Sequence, residues 1–128
     1  MKTNEDRLKA MLDGAHEELE DFLAMGKNSG ARLDFSIESI SDLERILIQT
    51  NATEEDDEDL FYDAWLYTGL VVANAKQGKW IVSEEDDETN GYPAIQYSNM
   101  YNDIFCPLTA VRQFLASKKT GAILSSLH

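Results

Sequence analysis

Residues 60–83 read LFYDAWLYTGLVVANAKQGKWIVS, and the change of pattern inside this stretch decides the fold. Up to Lys76 the apolar residues recur at helical spacing: Leu60, Phe61, Ala64, Trp65, Thr68, Val71, Val72 and Ala75, with Tyr62, Leu66 and Leu70 on the flanks. A helix apolar around most of its circumference is a central one. From Leu60 to Lys76 it would run about 25 Å at the standard rise per residue. Gly69 in its middle costs about 1 kcal/mol relative to alanine, so its presence predicts close packing against another element. Gln77-Gly78 ends the helix, and Lys79-Trp80-Ile81-Val82-Ser83 is rich in strand formers.

Upstream, Leu8, Leu12, Ala15, Leu19, Phe22 and Leu23 predict one helix from about Asn4 to Met25, stopped by Asn28-Ser29-Gly30. Ser36 is a good N-cap for a second helix marked by Ile37, Ile40, Leu43 and Leu47 and ending near Gln49. Thr53-Glu54-Glu55-Asp56 has capping-box form and opens the third, central helix.

Downstream, Asn90-Gly91 signals a hairpin turn lengthened by the acids before it. Tyr92 to Tyr97 reads as a second strand, with Pro93 at its start or on an edge, and Tyr101 to Phe105 as a short third one. Pro107 suits the first position of a last helix, Leu108 to Lys118, with Lys118 and Lys119 at its negative end and Gly121 closing it. The expected fold is therefore α+β: three N-terminal helices, a small three-stranded antiparallel sheet and one C-terminal helix, in a single domain over residues 1–128.

Composition agrees with that class. The chain has 128 residues, 43% hydrophobic and 27% charged, within the range of ordinary globular domains. Cys106 stands alone, so no internal disulfide forms, and no Cys/His cluster has zinc spacing. The polar start and the shortness of the longest apolar run, Leu70 to Ala73, predict neither signal peptide nor membrane span, and so a soluble cytoplasmic protein.

Charge is the strongest functional hint. The formal net charge is −13. Seven acids and no base lie between Ile46 and Ala75, and six acids and no base between Trp80 and Val111; the other acids are balanced by bases. This distribution argues against nucleic acid or an anionic membrane as partner and is compatible with a basic protein. The first run is Glu54, Glu55, Asp56, Asp57, Glu58 and Asp59. Acids favour a helix start, but that reason reaches only the first turn, and six adjacent acids need solvent or a cationic partner. The second run is Glu84, Glu85, Asp86, Asp87 and Glu88. With Asn90 and Gly91 its spacing is reminiscent of a calcium loop, yet Tyr97 stands where a bidentate glutamate belongs, Pro93 falls inside the loop, and strands flank it. A solvated hairpin loop is the better reading.

Catalytic constellations are scarce. His16 and His128 have no organised surroundings, Cys106 reads as a small hydrophobe, and no Gly-Lys-[Ser/Thr] phosphate loop exists. Nothing in the linear pattern marks one carboxylate pair as desolvated. Trp65, Tyr67 and Trp80 read as core, whereas Tyr97 and Tyr101 are interface candidates that bury area and keep a polar tip.

Four short stretches carry a resemblance: Leu33-Asp34-Phe35-Ser36-Ile37-Glu38-Ser39-Ile40, Tyr67-Thr68-Gly69-Leu70-Val71-Val72, Gly78-Lys79-Trp80-Ile81-Val82 and Phe105-Cys106-Pro107-Leu108-Thr109-Ala110-Val111. Over about residues 31 to 120 the chain resembles a group of small bacterial proteins catalogued as domains of unknown function, some of which look like immunity proteins encoded beside toxins. The resemblance implies the fold and transfers no catalytic motif; the two acidic runs lie outside the shared pattern. The expectation is a non-enzymatic binding protein of immunity or inhibitor type, without cofactor or metal, that meets a basic protein through Glu54 to Asp59, Glu84 to Glu88, Tyr97 and Tyr101. The alternatives are a scaffold or regulatory domain acting as a homo-oligomer and, third, a small hydrolase. Sequence leaves monomer and homodimer equally open.

Overall fold

The computed structural model describes residues 3–84, 90–97 and 103–127. The chain is α+β. Four helices precede a three-stranded antiparallel sheet, and a fifth follows it: α1 (Asn4–Asp13), α2 (Ala15–Asn28), α3 (Ser39–Gln49), α4 (Glu58–Ala75), β1 (Lys79–Val82), β2 (Pro93–Gln96), β3 (Ile104–Phe105) and α5 (Pro107–Ser117).

The expected single helix from Asn4 to Met25 is two helices, divided at Gly14. Thr3 opens the first with a capping box, its hydroxyl accepting from Asp6 N–H at 3.1 Å and its own N–H donating to the Asp6 carboxylate at 3.1 Å. Gly14 caps that helix through its N–H to Ala10 and, through its carbonyl, accepts from Glu18 N–H. At φ −97° and ψ 2°, with a Cβ there no nearer than 3.6 Å to the Ala10 carbonyl, the position does not require glycine. The division has a packing consequence. α1 buries no residue fully and lies against β1, whereas α2 buries Ala15, Leu19, Phe22 and Gly26 and packs on α4.

Ser36 caps the turn before α3, its Oγ accepting from Ser39 N–H at 3.2 Å. The loop ahead of it is pinned to α4. Phe35 has φ +65°, unusual for a bulky residue, and its N–H donates to the Tyr67 hydroxyl at 3.0 Å. The same hydroxyl lies 2.6 Å from Ser39 Oγ, and the Phe35 and Tyr67 rings are 4.9 Å apart. Tyr67 is fully buried, so this small network satisfies a phenol that has no access to water.

α4 is the central element foreseen from its apolar circumference. Phe61, Ala64, Trp65, Leu66, Tyr67, Thr68, Val71 and Val72 are buried against α2, α5 and β2. At Gly69 a residue of β1 and one of α5 both lie against the helix. A Cβ there would lie 2.8 Å from Trp80 Cζ2, nearer still to Cη2, and 3.1 Å from Pro107 Cγ. Only glycine admits the indole and the proline ring together.

The sheet order is β1-β2-β3, with Lys79 opposite Gln96, Trp80 opposite Ile95 and Val82 opposite Pro93. β3 pairs Phe105 with Ile95 and Ile104 with Gln96. β2 is thus the middle strand, and Pro93 is accommodated because it is its first residue. Pro107 takes the first position of α5, as read from sequence, and Lys118 closes that helix at φ +53°, with its N–H on the Phe114 carbonyl. The segment after it is tied back by Glu44. This almost fully buried carboxylate accepts from Gly121 N–H at 3.0 Å and Ile123 N–H at 3.2 Å. Among the described residues no helix is long and apolar enough to cross a membrane.

Candidate acidic interface

The first acidic run is built by a turn and a helix start. Thr53 Oγ1 accepts from Asp56 N–H at 3.1 Å, and Thr53 N–H donates to the Asp57 carboxylate at 3.0 Å. The side chain that reaches back is therefore Asp57, one residue beyond the Asp56 expected from the capping-box form. An intervening turn delays α4 to Glu58, and Phe61 N–H bonds the Asp57 carbonyl at 2.8 Å.

Two of the six acids are engaged in holding the structure. Asp57 caps the turn. Glu54 takes the Arg112 guanidinium of α5 through both oxygens, at 2.8 and 3.0 Å. That fork holds the Glu54 carboxyl below the usual glutamate range. The remaining four, Glu55, Asp56, Glu58 and Asp59, are exposed. Together with Asp57 and Leu60 they line an open concavity of about 510 Å³.

The acidic surface continues along α4 and crosses to α2. Asp59 and Asp63 are four residues apart, hence on one helix face. Asp63 feels the charges of Glu18 and Asp21 of α2 and of Asp59 on its own helix. Its carboxyl is pushed up to about 7, first by burial and then by those neighbours. Asp63 Oδ1 is buried and has no hydrogen-bond partner among the described residues. Tyr62, beside it, is pushed up by burial and by the charges of Glu18 and Asp63. The desolvated carboxyl that the linear pattern did not mark is therefore Asp63. One signal was readable, an acid one turn beyond the run on a helix otherwise apolar from Leu60 onward. Its partners on α2 were not, since nothing in the spacing joins residue 18 to residue 63.

Of the second run, Glu84 is exposed at the end of β1; Glu85, Asp86, Asp87 and Glu88 lie outside the described residues, as does Tyr101. The course of β1 relates Glu84 to the first run. Trp80 sits on Gly69, and two residues later Val82 shares a groove with Tyr62, Gly91 and Pro93. β1 therefore advances toward the N-terminal half of α4, where the first run lies. The hairpin base is closed by Ser83 N–H on the Tyr92 carbonyl and Gly91 N–H on the Ser83 carbonyl, both 2.9 Å.

Tyr97 packs partly buried against the core, and its N–H bonds the Asp103 carbonyl at 3.1 Å. Tyr92, which sequence reasoning assigned only to a strand, leaves 41% of its surface exposed at the hairpin. Cys106 is half-buried, its Sγ 3.8 Å from the Pro93 carbonyl and 3.6 Å from Thr109 Oγ1, in keeping with a packing role. His16 is exposed, with its ring edge-on to Phe35, and His128 lies outside the described residues. Among the described residues no three His, Cys, Asp or Glu side chains are grouped to hold a metal ion.

Compared with protein-family models, curated proteins and solved structures, the chain matches none.

Proposed function

We propose that the chain is a non-enzymatic acidic binding protein of immunity or inhibitor type that docks a basic protein partner on the face formed by the start of α4 and the adjoining side of α2. The observation that carries this reading is the run of acids: Glu55 and Asp56 exposed on the turn before α4, Glu58 and Asp59 exposed at its start, and then Asp63 with Glu18 and Asp21 acting on it. A face of one sign steers an oppositely charged partner and rejects wrong ones. The net charge of −13 adds a long-range field of the same sign. The resemblance to immunity-like bacterial proteins points the same way.

A hydrolase reading would draw on Asp63 as an acid that keeps its proton near neutral pH. The concavities lined by Glu55–Leu60, by Glu54 and Arg112, by Arg32–Asp42, by α1 with the sheet, and by α3 with Gly121 do not include it. The carboxyl lies in a helix seam, so the binding reading accounts for more of what is observed.

The test uses the wild type and a Glu55→Gln, Asp56→Asn, Glu58→Gln, Asp59→Asn variant, both immobilised against lysate of the native organism. Glu54 and Asp57 are left in place because they hold Arg112 and the Thr53 turn. A basic protein retained by the wild type at low salt, released at high salt and lost in the variant is the expected result. The same protein retained by both would overturn the reading.

A further inference from the structure

Leu8 and Met11 of α1, Tyr62 of α4, Val82 of β1 and Pro93 of β2 line a groove of about 210 Å³. All five are half-buried, so each keeps part of its apolar surface open. The placement of α1 is the cause. Leu8 and Met11 lie one turn apart on one face of that helix, which packs on β1 without burying any residue fully. Pockets for small molecules usually measure roughly 300–1,000 Å³, so a groove of this size takes one side chain rather than a metabolite. Its lining suits that use. Methionine adapts its shape to what it meets, and tyrosine offers apolar area with a polar tip.

The groove borders the acidic face. Glu58 and Asp59 precede Tyr62 by one helical turn, on the same side of α4, and both are exposed. Glu84 is exposed just beyond Val82 at the end of β1. Arg7 is the one base lining the groove among the described residues, so a lysine or arginine does not suit its floor. A partner's bases suit the acids at either side. Complementary charge speeds encounter, whereas a few well-packed anchor side chains carry most of an interface's affinity. The acidic face supplies the first and the groove the second. Two other concavities have apolar linings. That of Ala52, Leu115 and Ala116 carries two bases, Arg112 and Lys118, and that of Ile37, Ile40 and Leu124 is lined by none of the acids of the first run.

We propose that this groove is the anchor site of the docking face: it takes one uncharged aromatic or large aliphatic side chain of the basic partner, flanked in the partner by lysine or arginine that meet Glu58, Asp59 and Glu84. The anchor site rests on the reading of the acidic face as a docking surface and adds to it the kind of residue the partner presents.

The experiment is nitrogen-15 NMR titration of the intact chain with two peptides, acetyl-Lys-Lys-Phe-Lys-Lys-amide and its counterpart with alanine at the centre. The two carry the same charge and differ only in the anchor. The phenylalanine peptide is expected to bind about ten-fold tighter, from partial burial of one aromatic ring, and to shift the amides of Leu8, Met11, Tyr62 and Val82. The alanine peptide should shift Glu58 and Asp59 but not those four. Met11→Gln keeps the length of the side chain and removes its apolar character, so it should shrink the ratio between the peptides and leave binding of the alanine peptide unchanged. Equal binding of the two peptides by the wild type would overturn the anchor site. So would phenylalanine-specific shifts centred on Leu115 and Ala116, or a ratio that Met11→Gln leaves intact. If Met11→Gln does not fold, the wild-type titrations decide the matter. Failure of the acidic face reads differently: undiminished binding of the alanine peptide after Glu55, Asp56, Glu58 and Asp59 are neutralised would refute the face, while the ratio between the peptides still judges the groove. Binding of neither peptide would overturn both.

Discussion

Replacing Gly69 by alanine tests the packing of the central helix. In an unencumbered helix interior this change would stabilise by about 1 kcal/mol, since glycine gives up more backbone freedom on folding. Here the new methyl meets Trp80 Cζ2 at 2.8 Å, Trp80 Cη2 more closely, and Pro107 Cγ at 3.1 Å. Neither neighbour has a flexible end that could swing aside. Trp80 is held in β1 opposite Ile95, and Pro107 begins α5. Overpacking against rigid rings costs about 2–3 kcal/mol, at the upper part of the usual range. Net of the helix gain, the variant should lose about 1–2 kcal/mol, or about 3–10 °C in melting temperature for a chain of this length. Urea unfolding followed by tryptophan fluorescence reads both the loss and the displacement of Trp80, whose emission should shift to the red. The decisive arm is a double-mutant cycle with Trp80→Leu. In that background the obstruction shrinks, and Gly69→Ala should become neutral or stabilising. A stabilising Gly69→Ala in the wild-type background, or the same cost with and without Trp80, would refute the reasoning.

Other perturbations follow from the same contacts. Tyr67→Phe leaves Phe35 N–H without its acceptor and removes a partner of Ser39; a loss of about 1–3 kcal/mol in urea unfolding is expected, with faster hydrogen exchange at residue 35. Glu44→Gln converts one of two buried acceptors into a donor facing Gly121 N–H or Ile123 N–H, so it should cost about 1.5–3 kcal/mol and speed proteolysis of the C-terminal segment. Arg112→Ala should cost no more than about 1 kcal/mol at neutral pH, because its pair with Glu54 is partly exposed. The Glu54 carboxyl is held low, so the pair contributes above the ordinary glutamate range and is lost as pH falls through the lowered value. The difference between wild type and Arg112→Ala should therefore narrow in acid and in high salt, as melts at several pH values would show.

The parts of the fold that were legible rest on local rules. Apolar residues around α4 marked it as central, Gly69 announced a close approach, and Pro107 placed the start of α5. Gly14 misled because the apolar period runs unbroken through it, from Leu8 and Leu12 to Ala15 and Leu19; periodicity records which residues face inward and not whether the axis bends. The buried Glu44 was invisible for a related reason. On its own helix it is an ordinary acid, and only the returning C-terminal segment supplies the N–H groups that make burial tolerable. The acidic run was evident in the sequence, but its division into Glu54 and Asp57, which brace the structure, and four exposed neighbours depends on Arg112 and Thr53. The seam of Glu18 with Asp63 depends on how α2 lies against α4, which no spacing within either helix encodes.

The acidic face as a docking surface is tested most directly by the salt dependence of the dissociation constant between the purified chain and the basic protein it retains, measured for the wild type and for the variant with Glu55, Asp56, Glu58 and Asp59 neutralised. The account predicts affinity that weakens steeply with ionic strength in the wild type, and that is weaker and less steeply salt-dependent in the variant, which keeps nine of the thirteen net negative charges. Equal affinity and equal salt dependence in the two proteins would contradict it.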